Sequence, residues 1–192
     1  AGMVLEYIDG TKLEDSKIIK EFIHYLILHE IGHTLGLNHN FKGSNLLSYE
    51  EILNKETTYE KGLCSSVMEY PSINFSLHPE NQGLYYDTIP GPYDHWAIRF
   101  AYSQVDEEGL NAILDESTKP EHAFGNDADD MRSPGKAIDP RVMVGDLSND
   151  QITYSNNIFE LVNEMMNEVK TKFSIQGESY QELRRVYYVL NR

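Results

Sequence analysis

The chain has 192 residues, 40% hydrophobic and 11% aromatic, enough to bury one sizeable core across one or two domains. Its 31 acidic residues against 16 basic give a net charge of −15, so no basic surface is expected for nucleic acid or an anionic membrane. No apolar run reaches the length of a transmembrane helix, and a single cysteine excludes an internal disulfide framework.

From the start of the chain, residues 4–8 predict one short strand with poor alternation, and Asp9-Gly10 a turn. The opening Ala1-Gly2-Met3-Val4 does not read as a signal peptide. Asp15 or Ser16 then predicts the cap of a helix running to about Leu35. Phe22 and Leu26 share one face, Ile19, Ile23 and Ile27 a second, and Ile31 and Leu35 continue round. A helix apolar on most sides is expected to be buried on most sides.

The end of that helix reads His29-Glu30-Ile31-Gly32-His33-Thr34-Leu35-Gly36-Leu37-Asn38-His39, the pattern HExxHxxGxxH. On a helix, His29 and His33 point the same way, about 40° apart and about 6 Å along the axis, so both can reach one Zn²⁺. Gly36 can take φ > 0, end the helix and bring His39 back as a third ligand. Three protein ligands leave one position open, as in a catalytic zinc site. Glu30 projects to the flank of the pair, where a carboxylate serves as general base without ligating the metal. A lone histidine would read as a hydrogen-bonded core residue, and His24, pointing away from the pair, is read that way. The full constellation predicts zinc and hydrolysis of an amide, with a peptide bond the leading candidate.

Downstream, Ser48 followed by Glu51 is a capping-box pattern that predicts a short helix over about 49–55. Cys64 reads as a small buried hydrophobe. Residues 71–92, with four prolines and two glycines, predict an irregular wall. Pro92 fits the first turn of a helix carrying Trp96 and Phe100. A further short helix is expected from Asp106, burying Leu110, Ile113 and Leu114. The stretch 117–150 reads as loop-rich. Within it Gly125-Asn126-Asp127-Ala128-Asp129-Asp130 carries four oxygen-bearing side chains that could suit Ca²⁺, but lacks EF-hand spacing and reads first as a solvated loop. His78, His95 and His122 stand at unrelated spacings and read as structural or exposed. Ile158, Phe159, Leu161, Val162, Met165, Met166 and Val169 predict a helix face, and Tyr180, Leu183, Val186, Tyr187 and Leu190 a last amphipathic one.

The motif at 29–39 resembles that of the metzincin zinc endopeptidases, which carry a methionine turn downstream. Cys-Ser-Ser-Val-Met-Glu-Tyr-Pro at 64–71 is similar to that turn. The resemblance implies that Met68 forms an apolar floor beneath the zinc ligands, and that Tyr70 ligates zinc or hydrogen-bonds the reaction intermediate. His-Asn-Phe-Lys at 39–42, Ser-Val-Met-Glu-Tyr at 66–70, Gly-Pro-Tyr-Asp-His-Trp-Ala-Ile at 91–98, and Asp-Pro-Arg with Gly-Asp-Leu at 139–147 resemble a group of large, mostly bacterial, secreted zinc-dependent proteases. That likeness implies a setting outside the cytoplasm: extracellular, periplasmic or at the cell surface.

The expected fold class is α+β but predominantly helical: the zinc helix and lower subdomain of a metzincin-like catalytic domain. Residues 1–39 would form the active-site helix and zinc loop, and residues 40–192 the C-terminal subdomain with the methionine turn. The resemblance implies a β-sheet before the active-site helix whose edge pairs with an extended substrate, and the 28 residues before His29 are too few to build it. The chain therefore reads as a fragment whose cleft upstream residues of the same polypeptide complete, and as a weak protease by itself. Two alternatives stand beside a zinc endopeptidase acting on peptides or proteins. One is a zinc hydrolase with a non-protein amide substrate. The other is a non-catalytic zinc-binding interaction module, against which the presence of Glu30 counts.

Overall fold

The computed structural model describes residues 17–132, 139–174, 176–177 and 179–190. The strand expected at 4–8, the turn at 9–10 and the cap at Asp15 or Ser16 lie outside these. Among the described residues the regular elements are helices, and neither a strand nor any part of an upper sheet is present. In chain order they are α1 (Lys17–Thr34), α2 (Tyr49–Ile52), α3 (Lys55–Lys61), α4 (Pro92–Tyr102), α5 (Glu107–Asp115), α6 (Gln151–Phe173) and α7 (Gln181–Leu190). No helix among the described residues is long and apolar enough to cross a membrane.

Local chemistry sets most of the boundaries. The Ser48 hydroxyl accepts from Glu51 N at 3.2 Å, and the Glu51 carboxylate accepts from Ser48 N at 3.0 Å, the expected box. The helix it starts stops at Ile52 and does not reach 55. Asn54 takes an extended conformation and accepts from Thr57 N at 2.9 Å, so it caps a new helix, α3, that the sequence reading did not separate. Asp106 likewise caps α5 through Gly109 N. Ile113 is buried and Leu110 half-buried, but Leu114 is 39% exposed, against expectation. It stands about 100° round the helix from Ile113 and cannot share its face.

Two apolar clusters draw these elements together. Leu47, Ile52, Leu63, Cys64, Leu84, Leu147 and Tyr154 join α2, the irregular wall and the start of α6. Leu161, Met165 and Val169 of α6 pack against Val186 and Leu190 of α7. Phe159, Tyr180 and Tyr187, expected on those buried faces, are exposed. Phe159 lies about 200° round from Leu161, and Tyr187 one residue past Val186, so each points away from its neighbour's contact.

The larger correction concerns α1. Ile18, Tyr25, His29 and Gly32 are buried, but Ile19, Ile23, Ile27 and Ile31 are 40%, 49%, 51% and 48% exposed. The helix is apolar almost all round, as its sequence says, yet only the flank facing the 62–69 segment and residues 73–86 is covered by described residues. Periodicity reports which residues are apolar and not whether anything covers them.

Two of the buried carboxyls that lie away from the histidines titrate far above the usual range. Burial pushes Asp87 up from 3.8 to about 7, although Leu63 N donates to it, and its Oδ2 has no partner. Burial also pushes Asp146 up to about 6. Between an ordinary carboxyl value and these, the folded chain holds protons that the unfolded chain has released, so stability falls as pH rises through that window. His29, held low chiefly by burial, acts in the opposite sense at the acid end, being neutral when folded and protonated when unfolded. The melting temperature of the chelator-treated protein is therefore expected to climb as pH is lowered from 8, and to go on climbing below about 6.5, where the two carboxyls outweigh the one histidine. A flat or rising profile from 6.5 to 8 in thermal melts would contradict this account.

Candidate metal centre

Residues 62–69 are all buried and run under α1. Three contacts join them, at helix positions four and three residues apart and so on one flank. Tyr25 OH donates to Glu69 O at 2.5 Å, and His29 Nδ1 meets Val67 O at 2.8 Å. Met68, fully buried, lays its sulfur against Gly32 so closely that a Cβ there would overlap it. Helix-interior glycine normally costs about 0.5–1 kcal/mol relative to alanine. At Gly32 the sign reverses, because an added methyl must displace Met68. Gly32→Ala is expected to lower stability by about 1–3 kcal/mol, the usual range for overpacking. Thermal melts check this, and in a Met68→Ala background, where the overlap is gone, Gly32→Ala should cost less.

The segment is held from its other side by α4. Asp94 is 3% exposed and accepts from Ser66 Oγ at 2.6 Å, Val67 N at 2.8 Å and Gly91 N at 2.9 Å. Burial raises its pKa, and these three bonds oppose the rise. Ser66 Oγ in turn accepts from Met68 N. Glu69 accepts from Ser44 N at 3.1 Å and Tyr70 N at 2.8 Å. Burial, then the charge of Asp146, pushes its carboxyl up to about 8, so it is largely protonated at neutral pH.

Gly36 takes φ +88°, as its place in the motif predicts. Leu37 N donates to Gly32 O and Gly36 N to His33 O, which closes the helix as a Schellman turn. The chain returns, Asn40 N donates to Met68 O, and His39 arrives beside the other two histidines. Ring centroids are 4.8 Å (His29–His33), 4.9 Å (His33–His39) and 5.4 Å (His29–His39). Each histidine offers a ligand atom, and these atoms lie within 4.8 Å of one another.

The far nitrogen of every ring is engaged. His29 Nδ1 faces Val67 O, His33 Nδ1 faces Leu37 O at 3.0 Å, and His39 Nδ1 faces Asp127 Oδ2 at 2.8 Å. A carbonyl oxygen only accepts, so at least His29 and His33 carry the proton on Nδ1 and keep the Nε2 lone pair free. Nε2 of His29 and of His39 are buried without any hydrogen-bond partner. Such orphaned atoms are costly unless something meets them. A set of three imidazole nitrogens suits zinc, and the residues present fit that ion.

Around this group, Tyr70 stacks on His29 and leans on His39, each at 4.8 Å, and is 40% exposed. Burial raises its pKa, with the nearby charges of Glu30 and Asp127 adding to the rise. Glu30 is exposed on the adjoining flank of α1. Every site residue named from the sequence thus stands at one end of α1 and on the segment beneath it.

A family model described as Met-zincin matches residues 11–191. The chain belongs to the Met-zincin family. It is a metzincin-type zinc metallopeptidase domain. No match was found among curated proteins or among solved structures.

Asp127 apart, the other positions weighed from the sequence stand away from this Met-zincin centre. Cys64 is free and 1% exposed, and burial drives its thiol well above the usual value. His24, His78 and His95 are exposed, and His122 is buried against Trp96 with Nδ1 2.8 Å from Glu116 O. In the 125–130 loop the oxygen-bearing side chains disperse: Asn126 to Ala128 N, Asp129 to Asn126 N, Asp130 to Arg132, Asp127 to His39. Among the described residues, the three histidines form the group of three or more acidic, cysteine or histidine side chains that could hold a metal.

Sequence reasoning missed four contributors. Gly32 left a signal, a glycine inside a helix that needs a packing reason. Asp94 lay in the stretch 91–98, which carried kinship and no role. Asn40, fully buried, joins Met68 O, Ala123 O and Gly125 N, and Asp127 comes from a distant loop; neither pairing is written in local sequence.

Proposed function

We propose that this domain hydrolyses peptide bonds, with zinc held by His29, His33 and His39 and with Glu30 as general base. The observation that carries this reading is the convergence of three histidines whose far nitrogens are engaged, two of them with buried, unpartnered Nε2 atoms. When bound, zinc polarises a carbonyl and makes hydroxide available near neutral pH. Glu30 accepts the proton of the attacking water and passes it to the leaving amine. Tyr70, protonated at neutral pH and standing over the histidines, supplies a phenolic donor for the carbonyl oxygen as charge develops there. Met68 and the buried 62–69 segment keep His29 from moving.

The substrate is a peptide or protein. An extended peptide is best held by pairing with a strand edge. No such edge lies among the described residues, so we propose that the rest of the cleft comes from outside them. Resemblance to secreted proteases and the acidic composition support a setting outside the cytoplasm.

The test combines elemental analysis with a peptide library read by mass spectrometry. Zinc-loaded protein is expected to hold close to one equivalent and to cut peptides, a chelator to stop cleavage, and added zinc to restore it. Absence of bound zinc, or cleavage that survives chelation, would overturn the zinc assignment. One equivalent of zinc without cleavage of any peptide by the full-length polypeptide would overturn the substrate assignment.

A further inference from the structure

Two of the three histidines rest on backbone carbonyls, Leu37 within the metal motif and Val67 in the methionine turn, and the third does not. His39 Nδ1 is 2.8 Å from a carboxylate oxygen of Asp127, 88 positions further along the chain. That oxygen lies on the nitrogen opposite the one directed at the other histidines, so Asp127 is not a fourth member of the ligand group. The loop that carries it is fastened to the segment by which the motif returns from the helix. Phe41 N donates to Gly125 O at 2.7 Å, Gly125 N to Asn40 Oδ1 at 3.2 Å, and Asn40 Nδ2 to Ala123 O at 3.0 Å. Phe41, fully buried, stacks on the His39 ring at 5.2 Å. His39 is thereby held on one face by an aromatic ring and at Nδ1 by an anion.

We propose that Asp127 is a positioning residue for the third zinc ligand. It holds the His39 proton on Nδ1, which leaves Nε2 free for the metal and fixes the ring's orientation. The loop 123–130, which on sequence grounds could have been a cation site of its own, then serves the histidine centre instead. This assignment rests on the proposed zinc site, and it makes the third ligand conditional on a segment remote in sequence. Carbonyls at Val67 and Leu37 move only with the helix end and the methionine turn. Asp127 moves with a loop that Asn40 and Phe41 tie to the segment returning from the helix.

Zinc affinity, measured by competition with a chelator of known strength, is expected to fall about 10–100-fold in Asp127→Ala. Asp127→Asn, which keeps a neutral acceptor, is expected to lose less. Because Asp127 is mostly exposed, with 65% of its side chain accessible, its charge is open to screening, and the gap between wild type and Asp127→Asn should narrow in 1 M salt. The second readout needs no metal. In chelator-treated protein, imidazole ¹⁵N shifts should show His39 protonated at Nδ1 in wild type and shifted towards the Nε2–H form in Asp127→Ala, with His33 unchanged. Unchanged affinity and an unchanged His39 tautomer would overturn the proposal. If wild type takes up no zinc, the three-histidine reading fails, and the tautomer still decides the Asp127 contact. If Asp127→Ala does not melt like wild type, Asp127→Asn decides both readouts.

Discussion

Replacing Glu30 by glutamine is expected to reduce peptide hydrolysis about 10²–10⁴-fold while leaving zinc content unchanged. Glutamine keeps the size of the side chain and its place on the flank of α1, about 100° round from His29, but cannot take a proton from water. Glu30 is exposed and lies outside the buried seam between α1 and the 62–69 segment, so the fold should hardly notice the change. Surface substitutions of this kind stay within about 0.5 kcal/mol. The comparison is turnover of one peptide by zinc-matched wild type and Glu30→Gln, with melts alongside. Equal turnover would remove Glu30 from the mechanism. Lost turnover accompanied by lost zinc would mean that the carboxylate supports the metal.

His33→Ala is expected to abolish tight zinc binding and leave a protein that melts close to wild type. His33 is exposed, and its Nδ1 bond is to Leu37 O, which water can reach in its place. Two histidines then remain where three are needed, and a zinc site with two protein ligands is not a stable one. His29→Ala should differ in kind. His29 is 1% exposed and holds Val67 O, so its loss opens a cavity, leaves a buried carbonyl unpaired and costs about 1–3 kcal/mol besides the metal. Competition titrations and melts of both variants separate the effects. Retention of one tightly bound zinc by His33→Ala would break the ligand assignment.

What the sequence disclosed was chemistry that acts over a few residues. Spacing on a helix brought His29 and His33 together, and glycine at 36 gave the left-handed turn that returns His39. Ser48 with Glu51, Pro92 and Asp106 each announced a helix start by its capping chemistry. Long-range pairings were not legible, because no local pattern tells Asp127 that its partner is His39 or Asp94 that it will gather Ser66 and Val67. Asn54 shows the limit at short range: an asparagine between two helical turns either interrupts one helix or caps a second, and only packing of Thr58 and Ile52 decides. The exposure of α1 went unread for another reason. An apolar face announces that it avoids water in some context, and the described residues hold only part of that context.

The uncovered face of α1 also bears on how this chain responds to temperature. Heat capacity rises on unfolding in proportion to apolar area newly wetted. Ile19, Ile23, Ile27 and Ile31 already meet water over about half their surface when folded, and that area adds nothing to the difference. The increment per residue should therefore sit below the common 12–15 cal/mol/K, approximately in step with the area left open. A smaller increment flattens the curve of free energy against temperature, so stability changes gently on both warming and cooling. Anything that comes to lie over those isoleucines would withdraw that area from water and sharpen the curve, and calorimetry would register its arrival even where the histidines were untouched.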